Sequence, residues 1–463
     1  MSEYKLILIK DFDDAEYLHE VAWMKRAAEM FTLDKDFNAA FKENPAKTLA
    51  DYGLAEVDLD SAKLLLLKEV AEQFKDTPFD KMPRSYRRYK YFMKEKLDNR
   101  EKLRKEDCKP LNKNWVQWRS RQVNRCWFEM GGRNESSVHT PVMFELANGC
   151  SVGCPFCGLM APPLTKIFRY TEENAALWKE ILCVVYEFTG NAGGCGTLYY
   201  ASEPLDNPDY IKFVDDYFKV FHKVPQVTTA ASTRNVERTR SILRHGYNLE
   251  PHIDRFSVLN AKMRDTIFKN FTPEELIAVE LLPQFPEAPN NNFSKVGRSR
   301  KSEDDGGETI ACLSGVVVNM AERTLTLVTP CNADKNHPTG QNIYATEKFE
   351  TAEDFREVLN GLIEKYMPLN PDNGADMEIL PFVHLSVEED SFKISGNGYN
   401  LKQKYGEDSF AAMQAVVNYL EKNRHGSIRA LARKFLEEED IDPTYTISVL
   451  KNLWRLGIFC NKT

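Results

Sequence analysis

The chain has 463 residues, enough for about three domains at roughly 150 residues each. Hydrophobic residues make up 42% and charged residues 28%, an ordinary globular balance that argues against wholesale disorder. With 61 basic and 69 acidic residues the net charge is −8, which argues against a generally basic nucleic-acid binder. Apolar runs such as Leu64 to Leu67 fall far short of the ~18 residues of a membrane span. The start turns acidic at Asp11, Asp13 and Asp14, unlike a signal peptide, so a cytoplasmic location is expected. In that compartment ten cysteines read as metal or redox ligands rather than as a disulfide framework.

Residues 1–82 read as a helical domain. Ala27, Met30, Phe31, Phe37, Phe41 and Leu49 recur at helical spacings, Pro45 suits a helix start, and Gly53 suits a stop. Residues 83–140 form a basic and aromatic stretch with Tyr86, Arg87, Arg88, Tyr89, Trp115, Trp118, Arg119 and Arg121. Three readings fit it: a solvated helical face with its aromatics packed inward, a peptide-binding surface, or a nucleic-acid site. The net acidity of the chain weighs against the last.

Residues 141–335 alternate short apolar runs with helical segments. Val142–Leu146, Thr197–Ala201, Val224–Thr229, Arg255–Leu259, Ser314–Asn319 and Thr324–Val328 are strand candidates, and Thr171 can cap an intervening helix. Such alternation predicts an α/β fold with a parallel sheet, whose ligand sites lie at the C-terminal strand ends. Within this stretch, residues 284–309 carry Asn290-Asn291-Asn292, Arg298-Ser299-Arg300-Lys301 and Asp304-Asp305-Gly306-Gly307, the composition of a loop. Residues 336–404 are expected to cap the sheet. Residues 405–463 carry three helical stripes, led by Ala412, Ile428 and Ile447, in an arrangement resembling a winged helix. In an acidic chain that module suits protein contact or its own core better than DNA.

The sharpest signal is Cys150-Ser-Val-Gly-Cys154-Pro-Phe-Cys157, directly after the first predicted strand. Three thiolates on a tight loop can hold three corners of a [4Fe–4S] cluster and leave the fourth iron open to a small ligand. Zinc is the rival; a structural zinc site takes four protein ligands, and Cys183 or Cys195 would have to supply the fourth.

This loop, with Phe156 before the third cysteine, resembles the radical S-adenosylmethionine (SAM) superfamily. The resemblance implies a partial (β/α)6 barrel, a [4Fe–4S] cluster on Cys150, Cys154 and Cys157, and SAM bound to the open iron. One-electron reduction would then cleave SAM to a hydrogen-abstracting 5′-deoxyadenosyl radical. Tyr199-Tyr-Ala-Ser-Glu-Pro-Leu205 stands where the superfamily has Gly-Gly-Glu, so Glu203 and, beside it, Ser202 are implied as SAM contacts. Ala201 and Ser202 replace the two glycines, which alters the backbone's close approach to the ligand. Thr228, Thr229 and Ser257 fall at later strand ends, where ribose or carboxylate contacts usually lie.

Gly149–Gly158, Leu198–Tyr210 and Thr329-Pro-Cys331 look more narrowly like the PoyD-type epimerases, which convert L- to D-residues in ribosomally made peptides. That likeness implies Cys331 as the thiol returning hydrogen to the Cα radical, a precursor peptide of leader plus core as partner, and a flavodoxin or ferredoxin as electron donor. The stretch Phe37–Pro45 with Tyr52-Gly53-Leu54 resembles the leader helices of Nif11-type precursors, which points residues 20–60 to leader binding. Only Cys312, Cys331 and Cys460 follow Cys195, too few for a further cluster. Two alternatives stand beside this reading. One is a radical SAM enzyme forming thioether or C–C bonds; the other is a zinc-bound interaction or DNA-binding protein.

Overall fold

A computed structural model describes residues 15–291, 294–300 and 307–460. The acidic start, Asn292, and the Lys301 and Asp304–Gly306 parts of the composition loop lie outside the described residues.

The N-terminal part is helical as expected: α1 (Ala15–Leu33), α2 (Lys35–Glu43), α3 (Pro45–Asp51), α4 (Leu59–Leu66) and α5 (Lys68–Gln73). Side chains that compete with helical backbone mark the starts. Asp34, Asn44 and Asp58 accept N–H bonds from the first turns of α2, α3 and α4, and Pro45 occupies the first position of α3. Phe37 and Phe41 are fully buried and stack at 5.7 Å, packing with Val21, Leu49 and, from α6 (Arg84–Lys102), Phe92. These two phenylalanines therefore belong to the core of this unit and not to a free binding face.

The basic and aromatic stretch is resolved by burial. In α7 (Lys113–Met130) Trp115 and Trp118 are 0% exposed, and Arg119, Arg121 and Arg125 are buried too. Arg119 donates to the carbonyls of His139 (2.7 Å) and Val138 (2.9 Å), which satisfies a cation that burial alone would penalise. Aromatics inward is the reading that holds for this helix.

The sheets differ from a simple barrel progression. β1 (Thr140–Glu145) is followed by a two-strand ribbon of β2 (Ala147–Asn148) and β3 (Lys166–Ile167), then α8 (Glu172–Thr189), capped by Thr171 as expected. The expected second strand runs beside β1, with the Phe144 N–H on the Thr197 carbonyl (2.9 Å), without becoming a regular strand. A side chain at Gly196 would meet the Val142 carbonyl at 1.9 Å, so glycine is what allows that approach.

After α9 (Tyr210–Phe221) come β4 (Thr228–Thr229), α10 (Val236–Leu249), β5 (Asp254–Val258), α11 (Ala261–Asn270) and β6 (Val279–Pro283), and β4-β5-β6 form a parallel sheet. β7 (Leu313–Asn319) pairs in parallel with β1, whereas no strand pairing joins it to β6 among the described residues. β8 (Thr324–Pro330) and β9 (Gln341–Lys348) then add antiparallel. The expectation that Thr324–Val328 joins a parallel sheet is thereby corrected. Met320–Arg323 is a tight turn with Arg323 left-handed (φ 52°), too short for the crossover that a parallel pair needs. The result is mixed α/β.

One core runs from Trp115 and Trp118 through Phe144, Trp178 and Val316 to Leu359 of α12 (Ala352–Tyr366). A second core holds the C-terminal residues. There β10 (Asp376–Glu378), the antiparallel β11 (His384–Val387), β12 (Ser391–Gly396) and β13 (Tyr399–Lys404) precede α13 (Glu407–Asn423), β14 (His425–Ser427), α14 (Ile428–Glu439) and α15 (Pro443–Arg455). The three predicted helical stripes are all found, and the sheet packed against them was not foreseen. No helix among the described residues is long and apolar enough to cross a membrane.

Candidate active site

β1 delivers the chain to the Cys loop. Beyond the β2 ribbon, Cys150 is fixed by its N–H on the Pro162 carbonyl (2.9 Å), and the Cys157 N–H closes a turn on the Cys154 carbonyl (3.2 Å). Gly149 and Gly153 take positive φ (83° and 65°), and at Gly149 a side chain would strike the Pro163 carbonyl at 2.2 Å. All three thiols are half-buried and free of disulfides. Backbone N–H groups already point at two sulfurs, Val152 to Cys150 Sγ and Ala161 to Cys157 Sγ, each at 3.4 Å. Burial, followed by the neighbouring Cys150 and Cys157, pushes the Cys154 thiol up to about 11. Mutual repulsion of thiolates is what a bound cation relieves.

Among the described residues no group of three His, Cys, Asp or Glu side chains is arranged to hold a single metal ion. A cubane does not demand that convergence, because each thiolate binds a different iron. Three thiols on one loop, N–H donors on the sulfurs, and an adjoining cavity of about 510 Å³ lined by Cys150, Ser151, Gly153, Pro163, Leu164 and Arg298 fit such a group.

Of the predicted strand-end residues, Glu203 and Thr229 bond to each other. Glu203 is 4% exposed and accepts from Thr229 Oγ1 (2.6 Å), the Ala230 N–H (3.0 Å) and the Leu205 N–H (3.1 Å). Burial outweighs those donors and pushes its carboxyl up to about 7. Its carbonyl accepts the Asp206 N–H (3.0 Å), and the Asp206 carboxylate accepts the Ser151 N–H (2.9 Å), which ties it to the loop. Thr228 accepts from the Tyr199 hydroxyl (2.6 Å), and Ser257 is half-buried on β5 next to Phe256, the partner of Thr229. Ser202 is half-buried and bonds to the Glu145 carboxylate.

Cys331 directly follows β8. β8 runs antiparallel to β7, and continuing their register (Gly315 opposite Val328) sets Pro330 level with Leu313 and hence with Thr140, the start of β1. β1 feeds the Cys loop from its other end, yet the loop folds back: Gly158 packs on Ile310, and Gly297, set against the Cys157 carbonyl, bonds to the Pro338 carbonyl (2.8 Å) two residues before Gly340, which accepts the Cys331 N–H (3.0 Å). Cys331 is 4% exposed, and its thiol is raised by burial first and then by Glu129 of α7, with Cys126 also contributing. The structure therefore ties Glu203 to Thr229 and, through Asp206 and Ser151, to the Cys loop, sets Thr228 on Tyr199 and Ser202 on Glu145, and places Cys331 against α7.

Three groups escaped the sequence analysis. Glu145 ends the otherwise apolar β1, where a lone carboxyl was the available signal. It is buried, accepts from the Ala201 N–H (2.6 Å) and Asn319 Nδ2 (3.0 Å), and is pushed up to about 7, chiefly by burial. Arg234 donates to Ser151 Oγ (2.5 Å), while Asp206 accepts the Ser151 N–H (2.9 Å), so the two grip the front of the Cys loop. Arg298 bonds to its back, from a segment whose composition signalled only a loop.

No family model matches the chain. The uncharacterized protein y4wI of Sinorhizobium fredii is 37% identical over 294 residues, a match spanning 60% of this chain and 57% of that relative's length. The crystal structure of BtrN in complex with AdoMet and 2-DOIA aligns with 40% of this chain and 72% of its own, at 14% identity and a TM-score of 0.30. That likeness is too distant to transfer a fold or an activity.

Proposed function

We propose that this chain is a radical SAM enzyme that converts L- to D-residues in a ribosomally made precursor peptide. The observation that carries the radical SAM part is the meeting of Glu203 with the Cys loop. A buried carboxyl at the end of the expected second strand is tied to Thr229 at the next strand end and, through Asp206, to Ser151 beside Cys150. In this reading Cys150, Cys154 and Cys157 hold the [4Fe–4S] cluster, and Glu203 accepts the SAM ammonium with lone pairs its present donors leave over. Ser202, Thr228, Thr229 and Ser257 line the ribose and carboxylate side. Cluster and SAM together supply the one-electron chemistry that generates a hydrogen-abstracting radical. A flavodoxin or ferredoxin is the proposed source of the electron.

The peptide part rests on the likeness of Leu198–Tyr210 and Thr329–Cys331 to the PoyD-type epimerases. Burial keeps the Cys331 thiol protonated at neutral pH, the form a hydrogen-atom donor requires.

Co-production with a precursor peptide in D2O, followed by mass and chirality analysis, tests the whole. A gain of about one mass unit per D-residue is expected, from an exchangeable donor such as a thiol. Loss of two hydrogens without D-residues would replace epimerisation by bond formation, and zinc without iron or sulfide after anaerobic purification would remove the radical enzyme altogether.

A further inference from the structure

The Cys loop makes few backbone bonds of its own, and much of its shape comes from a segment remote in sequence. Ser294–Arg300 lies across it. The Arg298 N–H donates to the Cys157 carbonyl (3.0 Å), Arg298 Nη1 donates to the Cys154 carbonyl (2.9 Å), and Nη2 donates to the Ala161 carbonyl. Gly297 adopts φ +59°, and a side chain there would meet the carbonyls of Cys157 and Gly158, each at 2.4 Å. The segment is anchored from behind by the Gly297 N–H on the Pro338 carbonyl (2.8 Å) and by Val296, which is fully buried.

One residue thus grips three carbonyls, two of them belonging to the second and third cysteines. A guanidinium suits this: it is planar, permanently charged, and presents several N–H groups in a fixed fork, whereas an ammonium is a single flexible point. Ala161 is held from both sides, its N–H on Cys157 Sγ (3.4 Å) and its carbonyl on Arg298. The grip therefore fixes the donor that reaches a sulfur as well as the turn that carries it. A positive charge one peptide away from two thiolates also favours the more negative of two redox states, and cluster potentials respond to local charge and to hydrogen bonds at sulfur.

We propose that Arg298 is a positioning residue for the Cys loop: its fork and its backbone N–H hold the carbonyls of Cys154, Cys157 and Ala161 so that three thiolates face one cluster, and its charge eases the cluster's one-electron reduction. This rests on the cluster reading above.

The test compares anaerobically reconstituted wild type, R298Q, R298K and G297A. The readouts are iron and sulfide content, the rate of iron loss to a chelator, and the cluster's midpoint potential from an EPR-monitored titration. R298Q should lose iron several-fold faster and show a more negative midpoint. R298K keeps the charge, so it should hold the wild-type midpoint while losing iron as fast as R298Q. G297A leaves Arg298 in place but pries the segment off the loop, so it should reproduce the iron loss. If wild type holds iron and sulfide but R298Q matches it in both rate and midpoint, the inference is overturned and the cluster stands. If wild type itself takes up no iron, the cluster reading fails and this inference falls with it.

Discussion

Replacing Glu145 by glutamine should reverse sign in its effect on stability across neutral pH. Burial raises this carboxyl from 4.5 to about 7 in the folded protein, against hydrogen bonds from Ala201, Asn319 and Ser202 that pull it down. A raised acid binds its proton more tightly when folded. Folding is therefore most favoured below the unfolded value and loses stability as pH rises from 4.5 to about 7. A displacement of that size corresponds to about 3 kcal/mol. Glutamine carries no such pH dependence, but its amide nitrogen must face one of the three donors, at a loss of about 1 kcal/mol.

E145Q should accordingly be less stable than wild type by about 1 kcal/mol at pH 4.5 and more stable by about 2 kcal/mol at pH 8. Glu203 has the same raised carboxyl in both proteins and cancels in the difference. Denaturant unfolding of the cluster-free protein, followed by tryptophan fluorescence, reads the relevant core, because Phe144 of β1 packs edge-on against Trp178 at 4.9 Å. Parallel stability-versus-pH curves for the two proteins would refute the reasoning, since they would mean that Glu145 is ionised in both states or buried in neither.

Cys331→Ala should still cleave SAM and abstract hydrogen, yet accumulate no D-residues; normal epimerisation by that variant would remove Cys331 from the mechanism. Replacing any one of Cys150, Cys154 or Cys157 by alanine should instead abolish iron binding and SAM cleavage together. Trp118→Ala should cost about 3–5 kcal/mol, measured as a loss of denaturation midpoint, because a fully buried indole leaves a large cavity in the main core. A loss under about 1 kcal/mol there would contradict its burial.

Much of the local structure was legible in the sequence because it depends on short-range chemistry. Asp34, Asn44 and Thr171 cap helices through their own side chains, Gly53 takes the left-handed conformation (φ 69°) beyond the short helix that Pro45 opens, and the stripes of the last three helices face their core, all buried in the first two and half-buried at Ile447 and Leu456 in the third. The Cys loop was legible for the same reason: three cysteines within eight residues of chain carry their own geometry. Glu203 was found by its place after the expected second strand in a resembled pattern, and the structure bonds it to Thr229 and, through Asp206, to Ser151 of the loop.

What required the tertiary structure is everything settled by contacts between distant residues. Spacing showed that Ser314–Asn319 and Thr324–Val328 are strands, but not that the first would lie beside β1 and the second run backwards; pairing partner and direction depend on connection length and on which edges remain open. The basic-aromatic stretch left an inward-packed face, a peptide surface and a nucleic-acid site open until α7 was seen buried between the two cores. Cys331 stands immediately after a strand in sequence, and only the antiparallel pairing of that strand sets it level with the start of β1 and against α7. Arg298 lies 141 positions after Cys157, in a segment whose composition predicts only a loop, and no periodicity or spacing can report a hydrogen bond made across that separation.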